Sequence, residues 1–193
     1  MLEEEYNPHR VLPPHLRPTP EPIPTFAYEL RAAVETDVPD IREIYNHYVR
    51  NSTVTFDEQP MTLPDWRKKF AKSTQLQYPF IVAVSPTSGN LLGFAYVLPW
   101  SDKHALRRSV EDSIYLGPAA TGKGLGRALL GELIEKSKAS GIKEMVAVIA
   151  DKGAEGSIHL HESFGFKVVG QRGKVGFKFG RWIGNVFLEK RLK

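Results

Sequence analysis

The stretch from Val110 to Gly126 restricts this chain more than any other. Val110-Glu111-Asp112-Ser113-Ile114-Tyr115-Leu116 mixes β-branched, aromatic and apolar residues with polar ones, which predicts a strand. Gly117-Pro118-Ala119-Ala120-Thr121-Gly122-Lys123-Gly124 predicts a loop. From Leu125 the residues Ala128, Leu129, Leu130, Leu133 and Ile134 predict a long helix that stops at Gly141, behind Lys136 and Lys138. A strand, loop and helix joined in this way leave backbone N–H groups unpaired at the helix N-terminus, with the positive end of the helix dipole behind them. Such a place receives an anion, most often a phosphate.

The remaining elements follow from pattern. Residues 1–26 hold seven of the fourteen prolines, which forbids a helix or interior strand and predicts a Pro-rich N-terminal extension, either a tail or an arm laid on the domain. The domain itself is expected over 27–193. A first strand is predicted over Phe26–Ala33. A helix follows, capped by Thr36 or Asp37, with Val38, Ile41, Ile44, Tyr45 and Tyr48 on its buried face. A second helix from Leu63 is expected to turn Trp66 and Phe70 inward and Arg67, Lys68, Lys69 and Lys72 outward. Phe80–Val84 and Leu91–Val97 around Pro86-Thr87-Ser88-Gly89-Asn90 predict a hairpin. A strand at Glu144–Ala150, a short helix from Gly156 to Phe164, a strand opening at Phe166 and a last strand over Ile183–Lys190 complete the order. A hairpin-rich first half and a β-α-β-α-β second half predict a mixed sheet with helices on both faces.

Composition narrows the chemistry. There is no cysteine, so disulfides, thiol nucleophiles and cysteine metal sites are excluded, and no metal site is expected. No apolar run is long enough to span a membrane, and Met1-Leu2-Glu3-Glu4-Glu5-Tyr6 lacks the features of a signal peptide, so a soluble, cytoplasmic protein is expected. Net charge is +4. From Lys167 onward eight basic residues stand against one acidic residue, Glu189. A solvated surface, a nucleic acid or a phosphate-rich cofactor each accounts for that excess.

Two phosphate motifs fail on the loop. Gly117-Pro118-Ala119-Ala120-Thr121-Gly122-Lys123 has the spacing of a P-loop, but Gly124 stands where that motif needs a hydroxyl residue to hold a magnesium ion. A dinucleotide fingerprint belongs on the first strand of a parallel sheet, whereas this strand follows a meander. Thr121-Gly122-Lys123-Gly124-Leu125-Gly126 instead resembles the acetyl-CoA loop of the GNAT acetyltransferases, Gln/Arg-x-x-Gly-x-Gly/Ala, with Thr in the first place. Ser157–Phe166 resembles that family's later motif, with Ala154 where the family has Asn. Within the family the chain is most similar to the phosphinothricin/methionine sulfoximine acetyltransferases, through Ile44–Val49, Ser52–Phe56, Ala95-Tyr96 with Pro99-Trp100, Val110-Glu111, Val146–Ile149, Leu160–Glu162 and Gly176–Trp182.

That resemblance implies an α/β (α+β) GNAT fold, with a mixed, mostly antiparallel sheet. It implies acetyl-CoA as co-substrate, bound by Ile114, Tyr115, Leu116, Thr121, Gly122, Lys123, Gly124, Leu125, Gly126, Arg127 and Ser157. It implies Glu111 as general base for a small amino-acid-like amine, and a backbone N–H at Tyr115 or Leu116 as donor to the thioester oxygen. His161 stands either as the acid for the leaving thiolate or as a structural histidine. Phe56, Trp100, Lys103 and Lys178 take the acceptor positions, Phe56 and Trp100 being equally at home in a core. A homodimer is implied, with no membrane partner and no nucleic acid expected. The other readings are a protein or polyamine acetyltransferase, and a CoA-binding or nucleic-acid-docking module without strong catalysis.

Overall fold

The computed structural model describes residues 26–193; the proline-rich segment predicted over 1–26 lies, but for its last residue, outside the described residues. The elements are β1 (Glu29–Ala32), α1 (Val38–Asn51), α2 (Leu63–Gln75), β2 (Phe80–Val84), β3 (Leu91–Pro99), β4 (Ser109–Leu116), α3 (Leu125–Ala139), β5 (Glu144–Ala150), α4 (Glu155–Ser163), β6 (Lys167–Lys178) and β7 (Arg181–Arg191). They build one seven-stranded sheet in the order β1-β2-β3-β4-β5-β7-β6, antiparallel except between β4 and β5.

Alternation along the strands divides the core in two. Ile81, Ala83, Ala95, Val97, Val110 and Ala147 point to the side covered by α3, where Leu125, Leu129, Leu130 and Leu133 are fully buried. Phe80, Val82, Phe94 and Tyr96 point to the side covered by α1 and α2, against Ile41, Tyr45, Val49 and Trp66. Burying a side chain such as Leu129 contributes about 1.5–3 kcal/mol, so these two layers fix the position of every loop at the sheet edge.

Local chemistry sets the ends of the helices. Thr62 caps α2 by accepting from Asp65 N at 3.3 Å, and Pro64 stands in its first turn. Asp37 precedes α1 but its side chain caps nothing there; it accepts from Val34 N at 2.8 Å and holds both ends of the Arg31 guanidinium at 2.7 Å. Gly141 (φ 79°) and Gly165 (φ 81°) end α3 and α4 in the left-handed region expected of them.

Three expectations change. β1 begins at Glu29, and Phe26 and Tyr28 pack onto the α3-side core as chain leading into it. Lys69 of α2 is half-buried over aromatic rings. The last two strands form a longer hairpin than the apolar pattern suggested. β6 and β7 pair from Lys167–Glu189 to Lys178–Arg181, and turn at Phe179 and Gly180 with φ of 50° and 73°. Among the described residues no helix is long and apolar enough to cross a membrane.

Candidate active site

β4 and β5 pair at three positions only: Ser109 with Glu144, Val110 with Met145, and Glu111 with Val146. Beyond them β4 continues on β3 and β5 continues on β7, so the two strands part and the sheet opens into a wedge. Register decides which backbone groups face it. Gly117 N donates to Leu92 O at 2.8 Å and Trp100 N to Ser109 O at 3.0 Å, which assigns the N–H groups of Glu111, Ser113 and Tyr115 to β3. Those of Ile114 and Leu116 point the other way, where β5 has already left. Of the two amides expected to serve the thioester oxygen, only that of Leu116 opens on the wedge.

Gly122 (φ 71°) and Gly124 (φ 80°) shape the loop above; a Cβ at either would meet nothing within 4 Å, so the dihedral and not crowding calls for glycine. Arg127 N and Ala128 N both donate to Gly124 O, at 3.1 and 3.2 Å, which leaves the N–H groups of Leu125 and Gly126 without partners inside α3. At Gly126 space does matter: a Cβ would lie 3.3 Å from Leu160 Cδ2, where α3 crosses α4.

Loop and wedge together enclose about 710 Å³, walled by Glu111–Leu116, Thr121, Gly122, Gly124, Gly126, Arg127, Ala147–Ile149, Ser157, Leu160 and His161, with Tyr48 and Val54 at one lip. Nearly all the residues expected to hold the cofactor are thus brought together. Two are not on the wall. Leu125 is fully buried in the core, and the Lys123 ammonium lies 4.7 Å over the Phe26 ring. The positive side chain at the loop is therefore Arg127, steadied by Ser163 Oγ at 3.0 Å and by the Phe164 ring. Tyr48 was legible only as a helix-face residue; its hydroxyl donates to Leu116 O at 2.6 Å and ties α1 to the lip.

Alternation along β4 sends Glu111 and Asp112 to opposite faces. Asp112 meets α4: its Oδ2 lies 3.0 Å from His161 Nε2, with both side chains almost wholly buried. His161 Nδ1 is 2.7 Å from Ser157 O, and a carbonyl only accepts, so Nδ1 donates. Burial works against a charged imidazole here, but the Asp112 charge, its hydrogen bond and the Ser157 carbonyl outweigh it and raise His161 above its ordinary value. Both nitrogens are engaged, which favours the structural role over the acid. Asp112 Oδ1 is buried with no hydrogen-bond partner among the described residues. That orphan acceptor, the free amides of Ile114 and Leu116 and the open helix end fit a long ligand with amide groups and a diphosphate, the make-up of acetyl-CoA.

Glu111 faces the α1–α2 side. Burial first, then the Asp112 charge, push its carboxyl above the usual carboxylate range, while Lys69 pulls it back. Tyr115, on the same face, has its hydroxyl held protonated by burial and by Tyr96, Tyr45, Asp57 and Glu111. The four expected acceptor residues fall into two pairs, and none lines the wedge. Phe56 lies across Gly176, and Lys178 is buried, donating to Thr55 O at 2.9 Å. Trp100 and Lys103 are exposed in the loop between β3 and β4. Sequence reasoning missed the network of Tyr45 with Thr55 and Asp57 beside this face; its partners are ten and twelve residues apart in a segment without periodicity.

Known proteins share this fold. A family model described as an acetyltransferase (GNAT) domain matches residues 30–187. The chain is 37% identical over 166 residues to the phosphinothricin N-acetyltransferase of Alcaligenes faecalis, covering 86% of this chain and 83% of that protein. It is 39% identical over 163 residues to an L-methionine sulfoximine/L-methionine sulfone acetyltransferase of Pseudomonas aeruginosa, covering 84% and 94%. A GNAT superfamily phosphinothricin acetyltransferase from Sinorhizobium meliloti, solved in complex with AcCoA, superposes with a TM-score of 0.81 at 40% identity, covering 86% of this chain and 88% of that one. Wedge, glycine loop and matched length lead to one conclusion: this chain belongs to the GNAT acetyltransferase family.

Proposed function

We propose that this protein acetylates the primary amine of a small amino acid of the phosphinothricin or methionine sulfoximine kind, with Glu111 as general base. One observation carries the reading: a half-buried carboxyl, raised in pKa, at the point where β4 and β5 part. Bound acetyl-CoA supplies an activated acetyl thioester. The amides at Gly124–Gly126 and the Arg127 guanidinium hold its diphosphate. Asp112 Oδ1 and the N–H groups of Ile114 and Leu116 orient its amide arm and thioester oxygen. Glu111 would take the proton that the acceptor ammonium must lose, and the free amine would attack the thioester carbonyl directly, since no cysteine exists to carry the acetyl group. The C–S bond would then break, and CoA would leave as a thiolate that takes up the second proton shed by the nitrogen. His161 acts as a positioning residue that fixes α4 to β4.

Calorimetry with acetyl-CoA, followed by thiol release with a panel of amino acids, tests the whole reading; no heat from acetyl-CoA overturns it. Glu111→Gln is expected to lower kcat by about a hundredfold or more, the usual range for a lost general base, with acetyl-CoA affinity unchanged. We assign a homodimer as the working assembly, supported by the exposed Phe177, Phe179 and Trp182 on the β6–β7 hairpin.

A further inference from the structure

α2 turns an unexpected side chain toward the sheet. The Lys69 ammonium lies 5.0 Å from the centroid of the Trp66 ring, 5.5 Å from that of Tyr45 and 5.9 Å from that of Tyr96. Its one hydrogen bond among the described residues goes to Met61 Sδ at 3.6 Å, a weak acceptor. The Met61 backbone is clamped in turn by the Asn46 side chain, which donates to its carbonyl at 3.0 Å and accepts from its N–H at 2.8 Å. Ring faces compensate part of the cost of withdrawing an ammonium from water. They supply no counter-charge, and none of the ion pairs among the described residues includes Lys69. The side chain is only half-buried, so a ligand can reach it.

The cage stands on the face of the sheet that carries Glu111: Tyr96 lies two residues along β3 from Leu98, the cross-strand partner of Glu111, and the Lys69 charge acts on that carboxyl. The two lysines expected to meet an acceptor are otherwise placed. Lys178 is buried with its ammonium on the Thr55 carbonyl and near Asp57 and Glu58, and Lys103 is exposed in the loop between β3 and β4. An amino-acid acceptor brings an anion along with its amine, and an unneutralised cation beside the base is suited to receive it.

We propose that Lys69 is the cation that recognises the acceptor: caged by Tyr45, Trp66 and Tyr96, its ammonium binds the carboxylate of an amino acid whose amine is presented to Glu111. This rests on the acetyltransferase reading above and adds a substrate class to it. The same charge repels polyamines, which have no carboxylate and bring further positive charge.

The experiment compares L-methionine sulfoximine with its carboxamide as acceptors for the wild type, Lys69→Met and Lys69→Arg, with acetyl-CoA affinity and melting temperature measured in parallel. The wild type is expected to prefer the carboxylate form. In Lys69→Met the ratio of kcat/KM for acid over carboxamide should fall about tenfold or more, the scale of a lost charge-assisted hydrogen bond, through KM rather than kcat. Lys69→Arg should keep most of the preference. A preference unchanged in Lys69→Met overturns the assignment, as does an equal loss on both acceptors or a wild type indifferent to the carboxylate. A wild type that binds acetyl-CoA but acetylates neither acceptor overturns the acceptor class as well, and one that does not bind acetyl-CoA overturns the acetyltransferase reading itself.

Discussion

Glu111 and His161 show how burial directs two ionisable groups differently. Glu111 lacks a strong ion-pair partner, so desolvation dominates and its carboxyl rises above the ordinary 4.5. A base must be ionised to take a proton, so kcat/KM should fall as pH drops through that raised value. A pH–rate profile checks this: the acid limb should lie above pH 4.5 in the wild type and be lost in Glu111→Gln. His161 has its partner, and Asp112 lifts it above 6.5. The folded state therefore holds the imidazolium's proton more tightly than the unfolded state. The pair's contribution is full below pH 6.5 and is lost as pH rises through the folded value. Denaturant melts of His161→Asn should show a loss of about 3 kcal/mol at the lower pH, as for other broken buried pairs, and a smaller loss at alkaline pH. Glu111 was singled out by the family resemblance, and position alone would have left it an ordinary strand carboxylate. The Asp112–His161 contact was not legible, because its partners are 49 residues apart and meet only when α4 lands on β4. Lys69 misled for a different reason: a lysine at helical spacing reads as solvent-facing unless one knows that three rings wait beneath it.

At the scale of elements, the turn from β4 into α3 was the most legible part of the chain, since both left-handed glycines announce themselves. Its function rests on open amides and on positive charge in a small volume. Gly124→Asp keeps a residue type that tolerates positive φ, but adds a carboxylate at the mouth of the loop. Acetyl-CoA affinity should fall by about tenfold or more from charge repulsion alone, with little change in melting temperature; calorimetry and a thermal melt separate the two. The β6–β7 hairpin was legible only at its ends. Gln171, Arg172, Gly173 and Lys174 interrupt the apolar alternation that marks a strand, and the ladder is irregular between Arg172 and Gly176. Pairing with β7, already placed by Ile183, Val186 and Leu188, carries the strand through them.

Taken whole, the molecule was readable where its core is continuous: the order of strands and helices follows from apolar spacing, and so does their distribution over two faces. The wedge was not readable, because no residue pattern states that a parallel ladder stops after three pairs. Thermal stability should report its filling. At a hundredfold excess over Kd, acetyl-CoA stabilises the folded state by about 2.7 kcal/mol, which for a chain of this size raises Tm by roughly 5–10 °C in a melting experiment. The short ladder has a mechanical side too. β1–β4 with α1 and α2 make one half of the molecule, and β5–β7 with α4 make the other. Among the described residues three rungs between strands stitch these halves, with α3, the Asp112–His161 bond, the Lys178–Thr55 hydrogen bond and Phe56 across Gly176 as outside struts. A ligand that grips both lips would therefore act as a rivet across the seam.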